Sequence, residues 1–243
     1  ADYLPRLQQQ LTELPIDSEG SSPLVHLVQR EKECGIVIQD FFQLENERIV
    51  QLNLQTENSF EILARNTLLM DSIIQATFDF AMNDLLLLRR LHVEQMETEL
   101  HYKQRILPEK QEKLGRVEQE LENLPSQGGE HEEREMRRYY QKICSDLQHD
   151  IEEHAKRVRQ LEELLGTARD CSVDREFVEA HLVILARGGY GRGELSLASD
   201  RDLGYCLDTE QLASGQAEVV RQLIIRIETL LNAAQVMTAH QYL

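Results

Sequence analysis

Apolar positions along this chain recur first at helical spacing and later at strand spacing. The first fifty-odd residues read as short helices broken by Pro15 and by the Gly20-Ser21-Ser22-Pro23 cluster. Ser22 before Pro23 makes a helix start, because a proline at the first helical position forfeits only an N–H that has no partner inside the helix. From about Glu57 to Leu100 the residues Phe60, Leu63, Leu68, Ile73, Ile74, Phe78, Ala81 and Leu85 recur mostly at three- to five-residue steps, as one buried helical face requires. Further on, Leu114, Val117, Leu121 and Leu124 keep a 3-4-3 spacing, and Tyr140, Ile143, Leu147, Ile151, His154, Val158, Leu161 and Leu165 continue it with few exceptions. That is a coiled-coil seam, and the breaker Pro125-Ser126-Gln127-Gly128-Gly129 between the runs predicts two antiparallel helices folded back as a hairpin. Pro108 is expected to kink the first arm or end it locally, since its ring clashes with the preceding turn. His154 reads as a polar residue tolerated on the seam, because no second ligand stands at a matching position.

The pattern changes after Gly166. Two β-type runs, His181 to Ala186 and Leu203 to Leu207, flank a Gly-rich segment. Leu212, Val219, Val220, Leu223, Ile224, Ile227, Leu230 and Leu231 then mark an amphipathic helix, and Gln235 to Ala239 begins another strand. Strand, Gly-rich turn, strand, helix, strand is an α/β or α+β layout. The whole chain is predicted to be α+β, with short helices over 1–56, a long helix and hairpin insertion over 57–175, and a small α/β core over 176–243.

Charge narrows the partners. The chain has 243 residues and a formal charge of −17, with 43 acidic side chains against 26 basic ones. That balance opposes a phosphate backbone and argues against broad nucleic-acid binding, whose affinity comes from Lys and Arg displacing counterions. Cys34, Cys144, Cys171 and Cys206 are far apart, so neither a zinc site nor a disulfide framework is expected. The run Leu85 to Leu88 is stopped by Arg89-Arg90, far short of the ~20 apolar residues a membrane helix needs. Ala1 to Gln10 lacks the basic start and apolar centre of a signal peptide, so a cytoplasmic location is the expectation.

The segment with chemical character runs from Ala186 to Leu203: Ala-Arg-Gly-Gly-Tyr-Gly-Arg-Gly-Glu-Leu-Ser-Leu-Ala-Ser-Asp-Arg-Asp-Leu. Several glycines at a strand end let backbone N–H groups approach a phosphate. No Gly-Lys-Ser/Thr follows, so this is not a Walker A loop, and the third glycine is misplaced for a dinucleotide fingerprint. Asp200 and Asp202 lie two apart, which on a strand puts both carboxylates on one face roughly 6.5–7 Å apart along the chain. Oxygen-only ligands suit Mg²⁺, and two-metal phosphoryl-transfer sites hold ions about 3.5–4 Å apart. A Gly-rich turn alone is usually only a turn, and Asp-x-Asp alone is usually a solvated loop. Their combination is what carries information.

Gly-[Gly/Ser] followed at nine to thirteen residues by Asp-x-[Asp/Glu] resembles the signature of the DNA polymerase β nucleotidyltransferase superfamily. Ten residues separate Gly189 from Asp200 here. Within it, Gly-Gly-Tyr-Gly-Arg-Gly-Glu-Leu with Ser-Asp-x-Asp-Leu is similar to the group that uridylylates the PII signalling protein, and the latter half also to glutamine synthetase adenylyltransferase. The resemblance implies that Gly188, Gly189, Arg192 and Ser199 contact a nucleoside triphosphate, ATP or UTP, and that Asp200 and Asp202 hold Mg²⁺. Glu194 would orient Arg192. A looser similarity covers Arg65 to Ile74, as the helix preceding the catalytic strand, which would make the hairpin an insertion.

Arg201 departs from the usual apolar residue of that motif. The superfamily also takes a third carboxylate from a later strand, and Gln235 to Ala239 supplies none. Two readings follow. One is a Mg²⁺-dependent transferase moving a nucleoside monophosphate to a protein or small-molecule acceptor. The other is a catalytically incomplete relative that uses the hairpin to bind a second copy or a partner protein.

Overall fold

The computed structural model describes residues 2–14, 23–56, 58–124, 131–170, 173–196, 201–236 and 238–242. In chain order these form α1 (Tyr3–Thr12), α2 (Pro23–Thr56), α3 (Ser59–Asn83), α4 (Leu85–Asn123), α5 (His131–Asp170) and α6 (Arg175–His181). They continue as β1 (Leu182–Ala186), α7 (Gly188–Gly191), β2 (Arg201–Leu207), α8 (Ser214–Ala233) and β3 (Thr238–Tyr242). The chain is therefore α+β, mostly helical with one small sheet. It divides into two compact units, one built from 1–91 with 171–243, the other from 92–170.

In the first unit, helix α2 begins at Pro23, where the Ser22-Pro23 pair predicts a start, but it then runs 34 residues without a break. The expectation of several short helices in this region is corrected: among the described residues one short helix, α1, precedes one long one. Helix α3 begins where the Asn58 side chain accepts the Glu61 N–H at 3.3 Å, an N-cap that satisfies one of the four orphan donors of a helix start. Its buried stripe is Ile62, Asn66, Leu69, Met70, Ile73, Thr77 and Phe80. Phe60 and Leu68, expected on the buried face, lie on the outside, at 85% and 52% exposure. The true stripe includes the polar Asn66 and Thr77, which a count of apolar residues passes over.

The core joins Leu7 of α1, Leu69 and Ile73 of α3, and Leu223, Ile227 and Leu230 of α8, all fully buried. The sheet order is β1-β2-β3, with β1 antiparallel and β3 parallel to β2. The third strand starts at Thr238, three residues beyond the predicted Gln235, because Gln235 takes a positive φ of 53° in the turn that ends α8. Asp84, the residue between α3 and α4, is buried at 3% exposure. Its Oδ1 accepts Arg30 Nε at 2.9 Å, and its Oδ2 accepts Arg226 Nε at 3.1 Å and Nη2 at 2.9 Å. Arg226 also donates to Glu31 at 3.2 Å and to the Leu27 carbonyl at 3.0 Å. Two buried guanidinium groups are thereby held by hydrogen-bonded acceptors, as their removal from water demands. Burial pushes the neighbouring Cys34 thiol up to about 12, so it behaves as an inert apolar side chain.

The second unit is an antiparallel helix pair. Across it, Arg157 donates to Glu99 at 2.9 and 2.8 Å, Lys110 to Asp150 at 2.7 Å, Gln148 to Glu118 at 3.4 Å, and Arg137 to the Leu124 carbonyl at 2.9 Å. As α4 advances, its partners on α5 recede, which fixes the antiparallel sense. Met96, Leu161, Leu165 and Ala168 close the seam at one end. Helix α4 neither ends nor divides at Pro108. Loss of one ladder bond is outweighed by the seam on both sides of it. His154 is half-buried, with Nδ1 at 2.9 Å from the Asp150 carbonyl of its own helix. Among the described residues no helix is long and apolar enough to cross a membrane.

Candidate functional site

Strand alternation and ladder register decide which side chains can meet. Leu182 pairs with Leu207, Ile184 with Tyr205 and Ala186 with Leu203. On this face Leu182, Leu203 and Tyr205 are buried in the core. The intervening pairs, Val183 with Cys206 and Leu185 with Gly204, project from the other face. Val183 and Leu185 are 52% and 38% exposed there. Asp202 is two residues before Gly204 and shares that open face, and the ladder is extended past β1 by Arg187 N–H donating to the Asp202 carbonyl at 2.9 Å. The Asp202 carboxylate therefore stands on the solvent side of the sheet, directly where β1 gives way to the glycine segment.

That segment is one tight helical turn, α7, closed by its own backbone. Gly191 N–H donates to the Arg187 carbonyl at 2.8 Å, Gly193 N–H to the Tyr190 carbonyl at 3.0 Å and Glu194 N–H to the Gly189 carbonyl at 2.9 Å. Glycine is required at two places for different reasons. A Cβ on Gly191 would lie 2.5 Å from the Ala186 carbonyl oxygen, so the turn folds back onto the end of β1 more closely than any side chain allows. Gly188 has a φ of +58°, and a Cβ there would come within 3.0 Å of Asp202 Oδ2. Gly189 differs: a Cβ would make ordinary contacts at 3.6 Å to the Glu194 carbonyl and 3.9 Å to Arg192 Nη2.

Of the residues singled out in the sequence, Gly188 and Asp202 are brought together, with Gly189 in the same turn. Arg192 Nε donates to Glu194 Oε2 at 2.9 Å in a pair that is well over half exposed on both sides. Ser199 and Asp200 lie outside the described residues, as does Cys171. Among the described residues the Asp202 carboxylate accepts no hydrogen bond and enters no ion pair, which leaves its oxygens available to a cation. No cluster of three or more His, Cys, Asp or Glu side chains able to hold a metal is present among the described residues. Cys34, Cys144 and Cys206 are free thiols.

Two contacts from α3 fasten the segment, and neither was visible as a motif. Tyr190, 3% exposed, donates its hydroxyl to Asp71 Oδ1 at 2.6 Å. Asn66, fully buried, donates through Nδ2 to the carbonyls of Leu195 and Ser196 at 2.9 and 3.0 Å. The only sequence signal for either was the looser similarity over Arg65 to Ile74. Beside Tyr190 a cleft of about 460 Å³ runs between α3 and β1, lined by Asp71, Ile74, Phe78, Ile184 and Leu203. A larger cavity of about 780 Å³ lies among α1, α2 and α3, against Arg30, Asp79, Asp84 and Arg175, and touches none of these residues. The smaller cleft borders Tyr190 but lies mainly on the α3 side of the sheet, and Asp202 and Gly188 do not line it.

No protein-family model, curated protein or solved structure matches this chain.

Proposed function

We propose that this chain binds a nucleoside triphosphate with Mg²⁺ and transfers its nucleoside monophosphate to an acceptor, ATP and UTP being the donors the motif resembles. The single observation that carries the reading is the pairing of Gly188 with Asp202: a glycine in a left-handed conformation leaves room for a carboxylate that, among the described residues, has no hydrogen-bond or ion-pair partner. The residue type fits the cation chemically, because a carboxylate is an oxygen ligand and, among the described residues, no side chain or backbone donor occupies that of Asp202. Asp202, with Asp200 two residues before it in sequence, would hold the metal. When bound, Mg²⁺ would favour ionisation of the attacking hydroxyl and neutralise charge on the departing pyrophosphate. The chain's own contribution is alignment. The backbone turn Gly188–Gly191 offers an approach without side chains, Gly189 has room on its Cβ side, and the exposed Arg192 stands three residues on with Glu194 orienting its guanidinium.

Titration calorimetry with Mg²⁺ and either ATP or UTP tests the proposal. Wild type should bind one of them in a metal-dependent way, and Asp202→Ala should lose that dependence while melting like wild type. Equal metal-dependent binding by the variant refutes the assignment.

A second reading, nucleotide binding without turnover, is favoured by one specific observation. Strand β3 lies parallel beside β2 with Ala239 opposite Asp202, and Thr238 to Tyr242 contains no acidic residue. A radiolabelled-nucleotide transfer assay separates the two, since binding without pyrophosphate release supports the second.

A further inference from the structure

The connection from the glycine turn to Asp202 is held at both ends, and only one of those holds belongs to the sheet. At the β2 end, the Asp202 carbonyl accepts the Arg187 N–H at 2.9 Å and Arg201 and Asp202 pair with β3. At the other end Leu195 is fully buried, and the carbonyls of Leu195 and Ser196 both turn to one side chain, the Asn66 amide of α3. Asn66 is 129 and 130 residues away in sequence from these partners. It has no exposure to water.

The orientation of that amide is fixed by its surroundings. A flipped amide would set Oδ1 against two carbonyl oxygens, with no donor between them. In the observed orientation both Nδ2 hydrogens are used, and Oδ1 is left buried with no hydrogen-bond partner. A buried acceptor without a donor is unfavourable. An apolar side chain would occupy this buried position in α3 without that penalty, as Leu69 and Ile73 do one turn and two turns further along. Packing alone therefore does not account for an asparagine here. Its two donors do, because they hydrogen-bond two adjacent carbonyls that lie outside the three strands.

We infer that Asn66 is a positioning residue for Asp202: by holding Leu195 and Ser196, it fixes where the chain enters β2 and hence where the carboxylate stands relative to Gly188. The inference rests on the proposed reading of Asp202 as a metal ligand. The Tyr190 to Asp71 bond, from the next turns of α3, secures the other side of the same segment. Helix α3 thus braces both flanks of the site.

Mn²⁺ binding, followed by electron paramagnetic resonance on the full chain, tests this. Asn66→Leu keeps the branching and heavy-atom count of the side chain and removes both donors, and Ile73→Val, a core change in the same helix, serves as the control for general loss of stability. Thermal melts accompany each titration. Expected is a loss of Mn²⁺ affinity of tenfold or more in Asn66→Leu, with none in Ile73→Val even where both melt earlier than wild type. Asn66→Ala, which leaves room for water to bond the two carbonyls, is read beside them and should fall between wild type and Asn66→Leu; it replaces Asn66→Leu if that variant does not fold. Unchanged affinity in the asparagine variants, or losses that merely follow the melting temperature in all three, overturns the inference alone. Wild type that binds no Mn²⁺ overturns the proposed function together with it.

Discussion

The helix hairpin and the discontinuous unit around the sheet use the same kinds of side chain to opposite effect. In the hairpin, charge sits at the rim: the Arg157 and Glu99 side chains are about two-fifths exposed, and the buried seam between the arms is narrow. In the other unit, Arg30, Asp84 and Arg226 carry full charges at 3–6% exposure, surrounded by core. A rim pair can be lost and replaced by water, whereas a buried pair leaves its partner stranded in a medium that cannot solvate it. The hairpin is therefore specified by a repeated pattern, and the other unit by particular residues at particular places.

The largest way to sharpen that contrast is Asp84→Ala. It removes the carboxylate that two buried guanidinium groups share, so urea unfolding should show a loss of about 3–5 kcal/mol. A loss below ~1 kcal/mol would mean that water reaches the arginines. Next comes the glycine turn, whose demands are local. Gly191→Ala drives a Cβ against the Ala186 carbonyl and should cost about 1–3 kcal/mol. Gly189→Ala, with only ordinary contacts ahead of it, should stay within ~0.5 kcal/mol of wild type. Equal effects from the two would remove the distinction drawn between them.

The smallest effect belongs to the hairpin rim. Arg157→Ala should destabilise by less than ~1 kcal/mol and by less still in high salt. The hydrogen bond from Arg157 holds the Glu99 carboxyl below its ordinary 4.5. Its contribution is thus fully present above pH 4.5 and is lost as the pH falls through the lowered value. Lys110 depresses Asp150 in the same sense. Acid titration of wild type and Arg157→Ala, read by far-ultraviolet circular dichroism, should show the two curves converging below that range.

What could be read from the sequence follows the same division. The seam residues Leu121, Leu147, Leu161 and Leu165 are buried or half-buried as their spacing predicts, because a helix pair is governed by one period over many turns. Strands β1 and β2 and helix α8 also announce themselves by pattern. On helix α3 the apolar spacing points to a partly different face from the one that is buried. The spacing rule admitted Phe60 and Leu68 and had no place for Asn66 or Thr77, whose burial depends on carbonyl groups they bond. The meeting of the glycine turn with Asp202 was the legible part of the candidate site, since close approach imposes glycine at Gly188 and Gly191. The braces Asn66 and Asp71 were not, because only the tertiary fold brings α3 beside the turn. The buried bridge at Asp84 left no trace either, since its members come from three distant stretches of chain.

One compact body is assembled from residues 1–91 and 171–243, with 79 residues spelled out between them. During synthesis at ~5–20 residues per second, the early helices would wait roughly 7–28 s after Leu91 before α8, which ends at Ala233, has been made. For that interval Leu7, Leu69 and Ile73 lack α8 as a covering layer. Production of this protein should accordingly be sensitive to the supply of nascent-chain chaperones, and slower decoding within the hairpin should lower the yield of native product.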